Sequence, residues 1–207
     1  QGNWGYSNSQ GGGIYCYQSV ATIAGCTISG NLASGSLQGG GVYCGGDGTN
    51  VTLKNCVIAQ NMADAGAGVS IQRSLTAAPS LPSPGSRCRV SIVKCTIAQN
   101  GLANPYASTK AGGVESSGAD ITISNSIVWF NGGAPLVITS AAVTTPVTYS
   151  NIQKSCTGIG NIITDPLFAS TSTPAYHLLS AAGRYDPPSA RWVYDWSTSP
   201  CVDAGDP

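Results

Sequence analysis

"GGGIYC" at residues 11–16 comes back as "GGGVYC" at residues 39–44, and thinned copies follow as "GAGVSI" at 66–71 and "GGVES" at 112–116. Downstream of each lies a second recurring stretch. "ATIAGCTISGN" (21–31), "VTLKNCVIAQN" (51–61), "VSIVKCTIAQN" (90–100) and "ITISNSIVWFN" (121–131) share one template, and their starts lie 30, 39 and 31 residues apart. A weaker fifth copy is "VTYSNI" at 147–152. The long middle spacing holds "RSLTAAPSLPSPGSR" (73–87), which has three prolines and no strand pattern and reads as an inserted loop. Short-strand repeats of this length cannot bury an apolar face singly, so they stack as a solenoid.

Read as stacked coils, the repeats place Ile23, Leu53, Ile92, Ile123 and Tyr149 in one inward column, and Ile28, Ile58, Ile97 and Val128 in another. Cys26, Cys56, Cys95 and Ser126 stand between them. The fifth residue after each is always asparagine: Asn31, Asn61, Asn100 and Asn131. Amides stacked at a turn can bond one another along an axis with a repeat of about 4.8 Å, which satisfies backbone groups that the strands leave unpaired. The glycine runs then become corners where coils pack closely and the chain turns sharply. Each corner leads into a strand. Ile14, Val42, Val69 and Val114 point inward there, with Cys16, Cys44, Ile71 and Ser116, while Tyr15, Tyr43, Ser70 and Glu115 point outward.

Composition agrees. Of 207 residues, 27 are glycine and only 9% are charged, with nine basic and nine acidic side chains. One Met and one Glu leave little helix-favouring material, so the chain reads as all-β. No basic stripe suggests a nucleic-acid partner. No apolar run approaches the roughly 18 residues of a membrane span.

These stretches resemble the right-handed parallel β-helix repeat proteins of bacteria, a large secreted family. "GGGIYC…TIAGCTISGN" and "NSIVWFNG" match its usual coil, and "GNIITDPLF…YHLLS…TSPCVDAGDP" resembles its C-terminal pattern. The resemblance implies a right-handed β-helix of about 5–7 coils. It implies one domain over 1–207, with repeat coils to residue 155 and last coils plus an irregular capping tail over 156–207. Members usually continue past that ending, which implies a piece of a longer protein with an appended catalytic domain as one expectation. Extracellular or cell-surface location follows from the same resemblance. So do three functions: polysaccharide-binding module, structural or adhesive solenoid, and polysaccharide lyase or glycoside hydrolase.

Eight cysteines suit an oxidising compartment and include no Cys-x-x-Cys spacing. Those in the columns read as small buried residues, although neighbouring coils bring Cys16 beside Cys44 within disulfide reach. Cys156 and Cys201 lie in the tail, where pairing would close a long loop. Cys88 has no evident partner. His177 sits in an apolar strand-like "YHLLS", a structural setting.

Catalysis on such a scaffold needs carboxylates stacked on adjacent coils, either as an acid/base pair or as a calcium cluster with a base. Asp47, Asp64, Glu115 and Asp120 fall in four different columns, so no catalytic residue is assigned and no cofactor is required. Asp203 and Asp206, in "SPCVDAGDP", are the weak candidates for calcium beside a capping role.

Sugar chains have apolar ring faces and polar rims, which aromatic side chains and amides or hydroxyls recognise. The outward column Thr22, Thr52, Ser91, Thr122 and Thr148 makes a flat hydroxyl-rich face. Trp129 interrupts a column of small outward residues, and Tyr15 and Tyr43 stack on another face. Trp192, Tyr194 and Trp196 alternate in the tail, where they share a face if extended or close the end of the solenoid. These six aromatics are the candidate polysaccharide contacts.

Overall fold

The computed structural model describes residues 3–5, 10–33, 38–73, 87–101, 111–139, 146–154, 156–171 and 176–206. The repeats form three parallel sheets of five strands. The first stacks Ile14–Tyr17, Val42–Gly45, Val69–Gln72, Ala111–Ser117 and Ala134–Thr139. The second stacks Val20–Ala24, Asn50–Lys54, Arg89–Val93, Asp120–Ser124 and Val147–Thr148. The third stacks Thr27–Ser29, Val57–Ala59, Thr96–Ala98, Ile127–Trp129 and Asn151–Ile152. One strand of each sheet makes one coil, so the chain is a parallel β-helix of about five coils. Of the inserted stretch 73–87, residues 74–86 lie outside the described residues.

The core is the stack of inward columns. Val42, Leu53, Ile58, Val69, Ile71, Ile92, Ile97, Val114, Ile123 and Val128 are fully buried. Each pairs in register with its counterpart one coil away, as in Leu53↔Ile92 and Ile58↔Ile97. Cysteine and serine fill the narrow corner between the second and third sheets. There Cys56 and Cys95 are buried, and Ser126 and Ser150 extend the row, each hydroxyl accepting from the backbone N–H of the coil before it.

The asparagine ladder is present. The Asn61 Oδ1 accepts from the Asn31 backbone N–H at 3.0 Å and from its Nδ2 at 2.9 Å. Asn100 serves Asn61, and Asn131 serves Asn100, in the same way. The second amide hydrogen of Asn61 goes to the Ile28 carbonyl, and that of Asn100 to the Ile58 carbonyl. The ladder also reaches back to Asn3, whose N–H donates to Asn31 Oδ1 at 3.0 Å.

Glycine is required where coils come closest. A Cβ on Gly41 would lie 2.6 Å from the Gly68 carbonyl oxygen and 2.9 Å from the Asn61 Nδ2. The corner and the ladder therefore exclude any larger residue together.

The fifth coil differs from the sequence reading by two positions. Val147, not Tyr149, continues the Ile123 column, and Thr148 pairs with Ser124, so it leaves the threonine column. Tyr149 takes the turn position of Asn125, both with positive φ (48° and 51°). Counting from the inward aliphatic residue alone misplaces this short copy, because its turn begins two residues sooner. The tail then closes this end. Tyr149 and Ile152 donate N–H bonds to the Ile159 and Ile162 carbonyls, and Asn161 caps Ser150.

The cysteines are all free thiols. Cys156 and Cys201 do not pair: Cys156 packs on the core, while the Cys201 sulfur accepts from Asn151 Nδ2 at 3.0 Å. Two different tail contacts hold them, so closing that loop is not how the tail is fastened.

Candidate functional site

The third sheet turns a shallow outward strip of Ala59 and Ala98 to the tail. Small side chains there leave room, and Tyr176 and Phe168 pack into it. The Tyr176 hydroxyl donates to Gln99 Oε1 at 2.8 Å, and Gln60 Nε2 donates to the same oxygen at 3.3 Å. Burial pushes the Tyr176 phenol above its ordinary pKa. Phe168 meets Tyr176 edge-on at 5.2 Å and Phe130 at 6.4 Å.

Phe130 reaches this place through the repeat itself. It follows Gly30, Gln60 and Gln99 at the left-handed position before the ladder asparagine, with φ of 67°, 57°, 55° and, for Phe130, 55°. The same strained turn recurs in every coil, so the strain belongs to the solenoid rather than to a site.

Between this wall and the tail lies a cleft of about 700 Å³, open on one side and lined by Gln99, Phe130, Asn131, Gln153, Asp165, Leu167, Phe168, Ala169, Thr171, Leu179 and Trp196. Its lining mixes aromatic faces, amides, one hydroxyl and one carboxylate, and carries no cation among the described residues. The Gln153 Oε1 is buried without a partner among the described residues. Asp165 caps a turn, its Oδ1 accepting from the Leu167 N–H at 2.8 Å.

The tail forms a firm second wall. Phe168 bridges Leu178 antiparallel, and the hairpin Arg184–Asp186 with Arg191–Val193 follows. Arg184 grips Asp195 through Nε at 2.8 Å and Nη2 at 3.2 Å, and Asp186 through Nη1 at 3.2 Å. Asp195 also accepts from the Ser180 N–H at 2.9 Å. These bonds hold the Asp195 carboxyl below the usual carboxylate range, the arginine contributing most. The residue after this anchor is Trp196, which is 84% exposed at the rim of the cleft.

The other sequence candidates are dispersed. Trp129 keeps its place in the outward column beside Ala98, yet it is only 9% exposed, edge-on to Phe130. Alternation sets the side of a strand, and it does not report what later crosses that side. Tyr15 is exposed and stacks on Tyr43 at 5.2 Å and on Tyr17 at 6.2 Å, but Tyr43 itself is buried beneath it. Burial raises the Tyr43 phenol to about 12. Trp192 and Tyr194 are exposed on the hairpin and away from the cleft lining. With 70%, 78% and 84% exposure, Trp192, Tyr194 and Trp196 do not close the core. The strand ends at Val193, so the three do not share one strand face.

Two of the four repeat acids are held by bases. Asp47 pairs with Arg73, and Asp120 with Arg87 and Arg89. Asp203 and Asp206 are exposed, and no cluster of three or more His, Cys, Asp or Glu fit for a metal occurs among the described residues. His177 is exposed rather than packed, its carbonyl accepting from the Ala169 N–H.

Sequence reasoning missed most of the cleft. Gln99 and Phe130 had a usable signal, since the residue before each ladder asparagine always faces out at the corner. Asp165, Phe168 and Thr171 had none, because nothing local says where the tail folds back.

Among known families, the model described as "Right handed beta helix region" matches residues 5–152. No curated protein and no solved structure matches the chain.

Proposed function

The chain belongs to the right-handed β-helix family, and since that fold hosts many activities, we propose from its surface that it is a non-catalytic polysaccharide-binding module. The observation that carries this reading is the cleft of about 700 Å³ with Trp196 at its rim. Sugar rings stack on aromatic faces, and their hydroxyls exchange hydrogen bonds with amides. Phe130, Phe168 and Trp196 offer the faces, and Gln99, Gln153 and Thr171 offer the polar edges. A rigid rim lowers the ordering cost of binding, and the Arg184–Asp195 pair beside Trp196 supplies that rigidity. The open side of the cleft suits a chain that continues beyond the bound residues. The reading implies an extracellular or cell-surface location, where such glycans are met, and plant cell-wall chains are the first ligands to try.

The test is affinity electrophoresis through soluble xylan, cellulose derivatives, mannan and pectin. Retardation by at least one is expected, with Trp196→Ala weakening it severalfold and leaving the β-sheet circular dichroism unchanged. Unretarded migration in all of them would remove the proposal. Retardation unaffected by Trp196→Ala would move binding to another face, with Tyr15 and Trp192 next in line.

A further inference from the structure

We propose that Cys16 and Cys44 are a disulfide-forming pair, which a low-molecular-weight disulfide oxidant closes into a staple between the first and second coils. The two are register partners on neighbouring parallel strands of the first sheet. Both side chains face the core, at 8% and 0% exposure. Neighbouring strands lie about 4.8 Å apart, inside the Cα window of about 4.4–6.8 Å that disulfides occupy. Parallel neighbours in register aim their Cβ atoms alike, so a bond requires the Cβ pair to draw in to about 3.5–4.5 Å. The first coil can yield that much. Among the described residues, Ile14–Tyr17 pairs with a strand on one side only, and Gly45 and Gly46 immediately follow Cys44.

Three other buried cysteines, Cys56, Cys88 and Cys95, are set differently. The Cys56 thiol donates to the Ile23 and Lys54 carbonyls at 3.4 and 3.3 Å, and Cys95 to those of Leu53 and Val93 at 3.4 and 3.3 Å. Burial raises Cys95 to about 11. Cys88 is fully buried and raised to about 12, by burial first and then by Asp47 and Asp120. Cys16 is lowered, to about 7, because the Cys44 thiol donates a hydrogen bond to it, and that same bond, with burial, raises Cys44 and keeps it protonated until the edge coil opens. The thiolate is the attacking species in disulfide exchange, so Cys16 is the entry point and Cys44 the resolving group.

The steps balance with oxidised glutathione as the oxidant. During local opening of the edge coil, the Cys16 thiolate attacks one glutathione sulfur. An S–S bond forms, and the other glutathione leaves as a thiolate that takes up a proton. Cys44 then loses its proton to solvent and attacks the Cys16 sulfur, and the second glutathione departs. Two protein thiols are oxidised, and one glutathione disulfide is reduced to two thiols.

The test uses the full chain, reduced and then equilibrated with oxidised glutathione. Free thiols are alkylated in denaturant, and the chain is cut with chymotrypsin and trypsin together; sites at Tyr15, Tyr17 and Tyr43 isolate Cys16 and Cys26, and sites at Lys54, Arg73, Arg87 and Lys94 part Cys44, Cys56, Cys88 and Cys95. The expected map shows Cys16 and Cys44 leaving the alkylated pool together and returning as one linked pair. The melting midpoint should rise and fall back on adding dithiothreitol. Cys44→Ser should trap Cys16 as its glutathione adduct, and Cys88→Ser should leave the bridge intact. A Cys44–Cys88 link, a lasting Cys16 adduct in the wild-type chain, or full alkylation of all eight cysteines would each overturn the proposal. The wild-type map decides even if a variant fails to fold.

Discussion

Replacing Asn61 by alanine should destabilise the solenoid by about 2–6 kcal/mol, because it removes the acceptor of two buried Asn31 donors. Asn61 is fully buried. Its Oδ1 is the acceptor for the Asn31 N–H and the Asn31 Nδ2, at 3.0 and 2.9 Å. Its Nδ2 donates to the Ile28 carbonyl at 2.9 Å and to Asn100 Oδ1 at 3.0 Å. Asn100 Oδ1 stays satisfied, since the Asn61 backbone N–H still donates to it at 3.0 Å. The Asn31 donors lose their acceptor, and each such loss costs about 1–3 kcal/mol. The Ile28 carbonyl loses one of two lone-pair partners and adds least. For a chain of this size, a loss of 3 kcal/mol lowers the melting midpoint by about 6–12 °C. The assay is thermal and urea melting followed by far-UV circular dichroism, with exposed Asn50→Ala as the control. Asn61→Asp is a second probe: it keeps an acceptor for Asn31 but sets lone pairs against the Ile28 and Asn100 oxygens, so it should destabilise as well. Coils can unfold in sequence, so the first transition is the one to compare. A midpoint for Asn61→Ala no lower than that of Asn50→Ala would refute the ladder as a source of stability.

Gly41→Ala should exceed Gly25→Ala in cost, since a Cβ on Gly41 meets the Gly68 oxygen at 2.6 Å, whereas Gly25 has open space and only its φ of 63° to strain; urea midpoints in the reverse order would contradict the close-packed corner. Trp129→Ala should cost about 3–5 kcal/mol, as for other buried aromatics, while Trp196→Ala should stay within about 0.5 kcal/mol; equal melting temperatures would show that Trp129 is not packed. The tail hairpin should hold at neutral pH and loosen only in acid. The Asp195 carboxyl is lowered chiefly by its hydrogen bonds to Arg184, and that of Asp186 by Ser189 first and then Arg184. Lowered folded-state values stabilise in full above the ordinary carboxylate range of about pH 4, and that contribution is lost as pH falls from there through the lowered values. Tryptophan fluorescence from pH 6 to 2 should therefore change late, and Arg184→Ala should move the change to higher pH; an unmoved profile would separate the hairpin from this ion pair.

The sequence by itself determined the coil. Its inward columns, its corners and its asparagine ladder are local facts repeated at near-constant spacing, and a parallel stack satisfies them only in one register. Where the spacing shortens, as at Val147 and Tyr149, the same reasoning slips by two residues, because a turn position and an inward position are then confused. The cleft was decided by tertiary structure alone. Strand alternation sets Trp129 on the outward side, yet its exposure depends on a tail whose path is fixed by distant bonds, such as Tyr176 to Gln99 and Ser199 Oγ to the Pro166 carbonyl. Those contacts join residues far apart in the chain and follow no repeat. No periodic signal could therefore announce that one tryptophan would be covered and another left at the rim of a groove.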